Sequence, residues 1–246
     1  MTALVRLTFL FALVPVCFTI LGAALGVFWP TVRRLRSHVL HLAAGVVFAV
    51  VAGELLPEIQ RRALVGDVVL GFAIGISTML LVDWALDRLR RSGKSGTGLQ
   101  GKVATSLLVA VGIDFLLDGL LLGVGFAAGT RIGILFAVAE AAEQLSVGLA
   151  LASEMTRAGV ARARVLIVVS GLGSLVFVSA GLGATALSGL SGGRMEIVLS
   201  FGLAALLYLV TEELLREAHE EPETTMGTAM FFVGFLAFLV IGMLMK

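Results

Sequence analysis

Residues 103–128 read V-A-T-S-L-L-V-A-V-G-I-D-F-L-L-D-G-L-L-L-G-V-G-F-A-A, a run of 26 residues with no Lys, Arg or His. A helix rises about 1.5 Å per residue, and about 20 apolar residues cross the hydrocarbon core of a bilayer. The run therefore predicts a membrane-spanning helix, and the two aspartates inside it are its anomaly. Its surroundings are equally apolar. Of the 246 residues, 59% belong to the set AVILMFWYC and 14% are charged. Mean hydropathy is +1.05. A soluble domain carries roughly 25% charged residues, so this chain has too few to cover a globular surface and must face lipid.

Working outward, eight such segments emerge, at residues 3–29, 38–56, 63–86, 103–128, 132–154, 165–190, 195–215 and 226–245. Helices are required, because an open strand leaves backbone groups unpaired in lipid. The expected fold is an all-α integral membrane protein, one transmembrane domain over residues 1–246. The first segment is too long for a signal-peptide core and is read as a true helix, bent at Pro15. Basic residues set the orientation. Loops 1–2, 3–4, 5–6 and 7–8 hold Arg33, Arg34, Arg36, Arg88, Arg90, Arg91, Lys94, Lys102, Arg157, Arg162, Arg164 and Arg216, twelve of the 18 basic residues. The other side holds Arg6, Arg61, Arg62, Arg131, Arg194 and Lys246. Both termini are thus expected outside and the polar 3–4 loop, residues 87–102, in the cytosol of an inner or plasma membrane. The G-K-S-G within that loop is no phosphate loop, since its first glycine is missing and no strand precedes it. The net charge of +1 and the lack of a large basic patch argue against nucleic-acid binding. A lone Cys17 excludes a disulfide framework within one chain. Thirty glycines inside apolar stretches point to close helix contact and admit a homodimer.

The informative residues are acids. Asp114 and Asp118 lie four apart on one face of the fourth segment. The fifth reads A-E-A-A-E-Q-L-S-V-G from Ala139, with Glu140 and Glu143 three apart and Gln144 beside them. Each carboxylate at mid-membrane costs at least about 2.5–3.5 kcal/mol. A single such acid is explained by a hydrogen bond across helices. Four without a cation are not, because like charges at close range cannot all remain ionised unless something neutralises them. A short turn near Gly129 makes the two helices antiparallel neighbours. Asp114 then falls level with Glu143 and Asp118 with Glu140, in layers about 5–6 Å apart. Gly119 and Ser146 would let these helices approach.

A second pattern is an echo. The second helix is expected to end in E-L-L-P-E from Glu54 and the seventh in E-L-L-R-E from Glu213. On the proposed topology these elements lie at opposite membrane faces, as an inverted repeat of helices 1–3 and 6–8 would place them. The plain reading is two ordinary polar helix ends; the functional one puts Glu54 and Glu213, with Glu212, at the two mouths of a path. His38, His41 and His219 sit at membrane boundaries, where histidine is more often interfacial than a ligand. Glu217, Glu220, Glu221 and Glu223 read as a solvated turn able to receive a released cation.

Taken together, these motifs resemble the ZIP (Zrt/Irt-like) metal transporters over essentially the whole chain. The family's fourth helix carries H-N-x-x-[DE]-G, here D-F-L-L-D-G from Asp114 to Gly119. Its fifth carries H-E-x-P-E-G-x-x-x-G, here Ala139 to Gly148. Its second carries H-x-A-A-G and H-L-L-P-E, here His41, Ala43-Ala44-Gly45 and E-L-L-P-E. The resemblance implies eight helices in a 3+2+3 inverted repeat, with helices 1, 4, 5 and 6 sliding as an elevator against 2, 3, 7 and 8. It also implies a primary metal site of Asp114, Asp118 and Glu143 and a second position keeping Glu140 and the shared Glu143. Asp114, Phe115, Ala139 and Gln144 replace the family's His, Asn, His and Gly. With Phe115 no ligand, one transported ion is expected rather than a complete two-metal centre.

The expected function is import of a divalent cation bound by Asp114, Asp118, Glu140 and Glu143, with Gln144 as a neutral ligand and Glu54 and Glu213 as gates. No catalytic cofactor is expected; the metal is cargo. The resemblance implies zinc or a related ion such as Mn, Fe or Cd, and the loss of imidazole favours harder ions. Two alternatives remain at this stage: a proton-coupled carrier of another solute, with the acids as relay, and a transport-inactive ZIP-like sensor. An enzyme is not expected: an intramembrane aspartyl protease needs aspartates on two helices, and here both share one.

Overall fold

In lipid, a backbone carbonyl or amide has no partner but its own chain, so each long apolar run closes into a helix. The computed structural model describes residues 3–29, 36–62, 64–92, 105–187, 189–219 and 224–244. Eight helices in it are long and apolar enough to cross a membrane. They are α1 (Ala3–Phe28), α2 (Ser37–Arg62), α3 (Val65–Ser92), α4 (Thr105–Ala128), α5 (Thr130–Arg157), α6 (Arg162–Leu187), α7 (Gly193–Leu214) and α8 (Thr225–Leu244). The chain is an all-α, multi-pass membrane protein.

Several helix ends differ from the sequence-based expectation. The helix α3 continues to Ser92, so only the remainder of the 3–4 loop, residues 93–102, lies outside the described residues. Arg33, Arg34, Glu220, Glu221, Glu223, Met245 and Lys246 lie outside them too. The helix α6 stops at Leu187 rather than at residue 190. Gly189 (φ +87°) and Gly192 (φ +59°) follow it in the left-handed region, which glycine enters without a Cβ penalty. Pro15 is buried inside α1, which stays helical through it.

The second helix does not end at E-L-L-P-E. It passes through a π turn at Val51–Leu55 and resumes as α-helix over Leu56–Arg62. In that turn the Leu56 N–H donates to the Val51 carbonyl, five residues back. The wider loop suits Pro57, which has no N–H of its own. The same distortion recurs at Leu209–Leu214, where the Leu215 N–H donates to the Val210 carbonyl. Arg216 stands there in place of a proline, so proline is not the common cause. Glu54 and Glu213 occupy the same register of the two turns.

Helices pair in two sets. The helix α1 packs along α5 and α6, and α4 packs along α6 and α5. The helix α2 packs on α8, and α3 on α7. The main contact between the sets runs from α2 to α5. The most apolar stretch of α5 is 67% buried, against 17% for α3 and 22% for α8. The helix α5 is therefore central, while α3 and α8 turn Leu80, Leu81, Trp84, Phe232 and Leu236 outward. Lipid supplies no hydrophobic drive between helices, so close approach of backbones must supply van der Waals contact instead. A Cβ on Gly148 of α5 would run into the Thr19 carbonyl of α1. Gly119 serves the same purpose, but toward α6: a Cβ there would strike the Ser179 hydroxyl and the Val176 carbonyl. The expectation that Gly119 brings α4 against α5 is corrected accordingly.

Candidate metal centre

Four acids of α4 and α5 point inward because these helices are antiparallel neighbours joined through the single residue Gly129. Three of them converge. Asp114, Asp118 and Glu143 each offer one carboxylate oxygen, all within 4.8 Å of one another. An ion with metal–oxygen distances of about 2.0–2.5 Å holds its ligand oxygens no more than about 4–5 Å apart. The three oxygens therefore already span a distance one ion can bridge. Asp118 is 3% exposed and Glu143 2%; Asp114 is half-buried. No described Lys, Arg or His makes an ion pair with them.

Asp114 and Glu143 also line a cavity of about 430 Å³. Its other polar lining comes from Asp83 of α3, Glu154 and Arg157 at the end of α5, Glu213 in the second π turn, and Arg216. Glu154 and Arg157 are exposed, so the cavity opens at the Arg157 end of the bundle. Arg157 donates to Glu154 at 2.6 Å, which offsets one charge at the rim. Glu213 adds a further acid to the cavity that Asp114 and Glu143 line.

The remaining expected residues take other places. Glu140, 5% exposed, lies outside the triad, and its Oε2 has no hydrogen-bond partner among the described residues. Gln144 is fully buried; its Nε2 donates to Asp118 Oδ2 at 2.7 Å. Its Oε1 accepts from Thr19 Oγ1 of α1 at 2.8 Å. Gln144 thus meets Asp118 as a donor, and its oxygen turns to α1. Glu54 sits at the opposite end of the bundle. Arg131, at the start of α5, donates through Nη2 to Glu54 Oε1 at 2.8 Å and to the Gly242 carbonyl at 2.9 Å. So Glu213 shares a cavity with the triad, and Glu54 belongs to a bridge between α2, α5 and α8. His41 and His219 are neighbours, ring centroids 5.2 Å apart, each with Nδ1 on the carbonyl four residues back.

Sequence reading did not single out Asp83, Thr19 or Glu154. Asp83 carried the same signal as the others, an acid within an apolar run. Thr19 carried none. No family model matches the chain, and no curated protein matches it. The reading of the site therefore rests on its own geometry.

Proposed function

We propose that the chain carries a divalent cation across the membrane, as a ZIP-like transporter importing it toward the cytoplasm. The observation that carries this reading is a largely buried carboxylate triad, unpaired with any described cation, two of whose members line a cavity of about 430 Å³ open at one end. The helix α5 has 28 residues, about 42 Å at 1.5 Å each, and Glu143 sits near its middle. A cation leaving Asp114 and Glu143 toward the Arg157 end would pass Glu213 and Asp83 and regain its water there. The orientation that places basic loops inside makes this end cytoplasmic, so the described state faces inward. The Arg131–Glu54 bridge closes on the outer side.

Two features support the ZIP-like repeat. The E-L-L elements form π turns in the same register, one toward each end. The set α1, α4, α5 and α6 packs chiefly on itself, as a unit carrying the site past a scaffold of α2, α3, α7 and α8 would. Carboxylate ligation suits Mn and admits Zn as substrates. The test is uptake of zinc or manganese into vesicles containing the purified protein. Wild type should accumulate the metal, and Glu143→Gln should lose at least about tenfold, on the order of 1.4 kcal/mol. Undiminished uptake by Glu143→Gln would move the site elsewhere. Elemental analysis separates the proton-coupled rival: a metal retained by wild type and lost in Asp118→Asn identifies the cargo.

A further inference from the structure

The Gln144 side chain that donates to Asp118 is itself contacted from α1, a helix that contributes no acid. Thr19 of α1 is fully buried, and its hydroxyl lies 2.9 Å from the Pro15 carbonyl and 2.8 Å from Gln144 Oε1. Both neighbours are acceptors. A hydroxyl has one proton and can give it to either. With that proton given to Gln144, the amide is ordered from both sides. Its oxygen faces a donor and its N–H faces the carboxylate of Asp118 at 2.7 Å. Turned over, the amide would set its oxygen against the Asp118 carboxylate, two acceptors in contact.

Thr19 cannot drift from this position. Gly148 of α5 abuts its carbonyl, and a methyl on Gly173 of α6 would lie 3.2 Å from its Cγ2. Two neighbouring helices thus clamp the residue that orients the amide.

We propose that Thr19 is a positioning residue for the cation site and sets which ions it prefers. Through Gln144 it engages one oxygen of Asp118, Oδ2, and leaves the other for the ion. This rests on the reading of the triad as a cation site. A carboxylate oxygen that already accepts a hydrogen bond has one lone-pair direction fewer, so coordination through both oxygens at once is disfavoured. Small ions with near-octahedral or tetrahedral shells, such as Mn and Zn, accept coordination through one oxygen. Calcium takes six to eight oxygens and readily uses both oxygens of a carboxylate. The relay therefore biases the site against calcium.

The experiment is calorimetric titration of the full purified chain in detergent with manganese chloride and, separately, calcium chloride. Wild type should bind manganese more tightly. Thr19→Val should weaken manganese by about tenfold, the lower end of the usual effect of losing a group that orients a metal ligand. Calcium should change by less than about threefold, so the manganese-to-calcium ratio falls. Thr19→Ser, which restores the hydroxyl, should restore the ratio. Gln144→Met keeps the volume without the N–H and should copy Thr19→Val, which covers the case of a misfolded valine variant. Equal losses for both ions in Thr19→Val and Gln144→Met would reduce Thr19 to a packing residue and overturn the proposal. An unchanged ratio would overturn it too, while leaving the triad as a cation site. If wild type binds neither ion, the cation site itself fails and the relay with it.

Discussion

Glu54 and Glu213 stand in matching positions of two π turns, yet the chain surrounds them oppositely. At one end, Arg131 reaches from α5 to Glu54 and to the Gly242 carbonyl and ties three helices together. At the other end, Glu213 lines a cavity with Asp83, Asp114, Glu143 and Arg216, and the rim carries the Arg157–Glu154 pair. The same local backbone therefore serves closure in one place and access in the other. The surroundings of the acid, rather than the π turn that presents it, decide the difference.

That contrast can be broken deliberately. The largest effect should come from Glu213→Lys, which places an ammonium in the cavity beside the triad. Cation uptake into vesicles should fall more than about tenfold, or about 1.4 kcal/mol, whereas Glu54→Lys should leave equilibrium cation binding within about twofold. Comparable losses of binding in both variants would erase the distinction between the two ends. Next in size is Arg131→Ala. Breaking a fully buried pair costs about 3–5 kcal/mol. The Arg131 side chain is 39% exposed and that of Glu54 9%, so solvent screening reduces the expected loss to about 1–2 kcal/mol. Thermal unfolding in detergent reads it as a lower Tm, and Arg131→Lys should recover only part, because one ammonium does not reproduce the guanidinium fork. The smallest effect is that of pH. Protons and metal compete for the same triad oxygens, so uptake should decline as pH is lowered from about 7.5 to 5.5. A flat profile over that interval would separate the triad from the transported ion.

The membrane architecture was legible because lipid imposes a length and a composition on each helix. Asp114, Asp118 and Glu143 were legible for the same reason, since a charge in an apolar run has nothing nearby to disguise it. Thr19 was not. Thr8, Thr78 and Thr156 all send their hydroxyls to the carbonyl four residues back, and Thr19 does this as well. Only its second contact, to a side chain 125 residues away, distinguishes it, and that distance closes only in the folded bundle. The partner of Gly119 was misread on similar grounds. A small residue announces close approach without naming the helix that approaches, and the neighbour is α6. Proline was no signature of the π turns either, since one is followed by a proline two residues beyond its end and the other is not.

The helix α5 is unbroken over its 28 residues and holds Arg131 at one end, Glu143 and Gln144 at its centre, and Glu154 and Arg157 at the other. A rod of this kind cannot compress, so a displacement along its axis by one turn, about 5.4 Å, reaches all three levels at once. If the chain carries a cation as proposed, release of the Arg131–Glu54 bridge, movement of the triad and reshaping of the cavity would be one mechanical stroke.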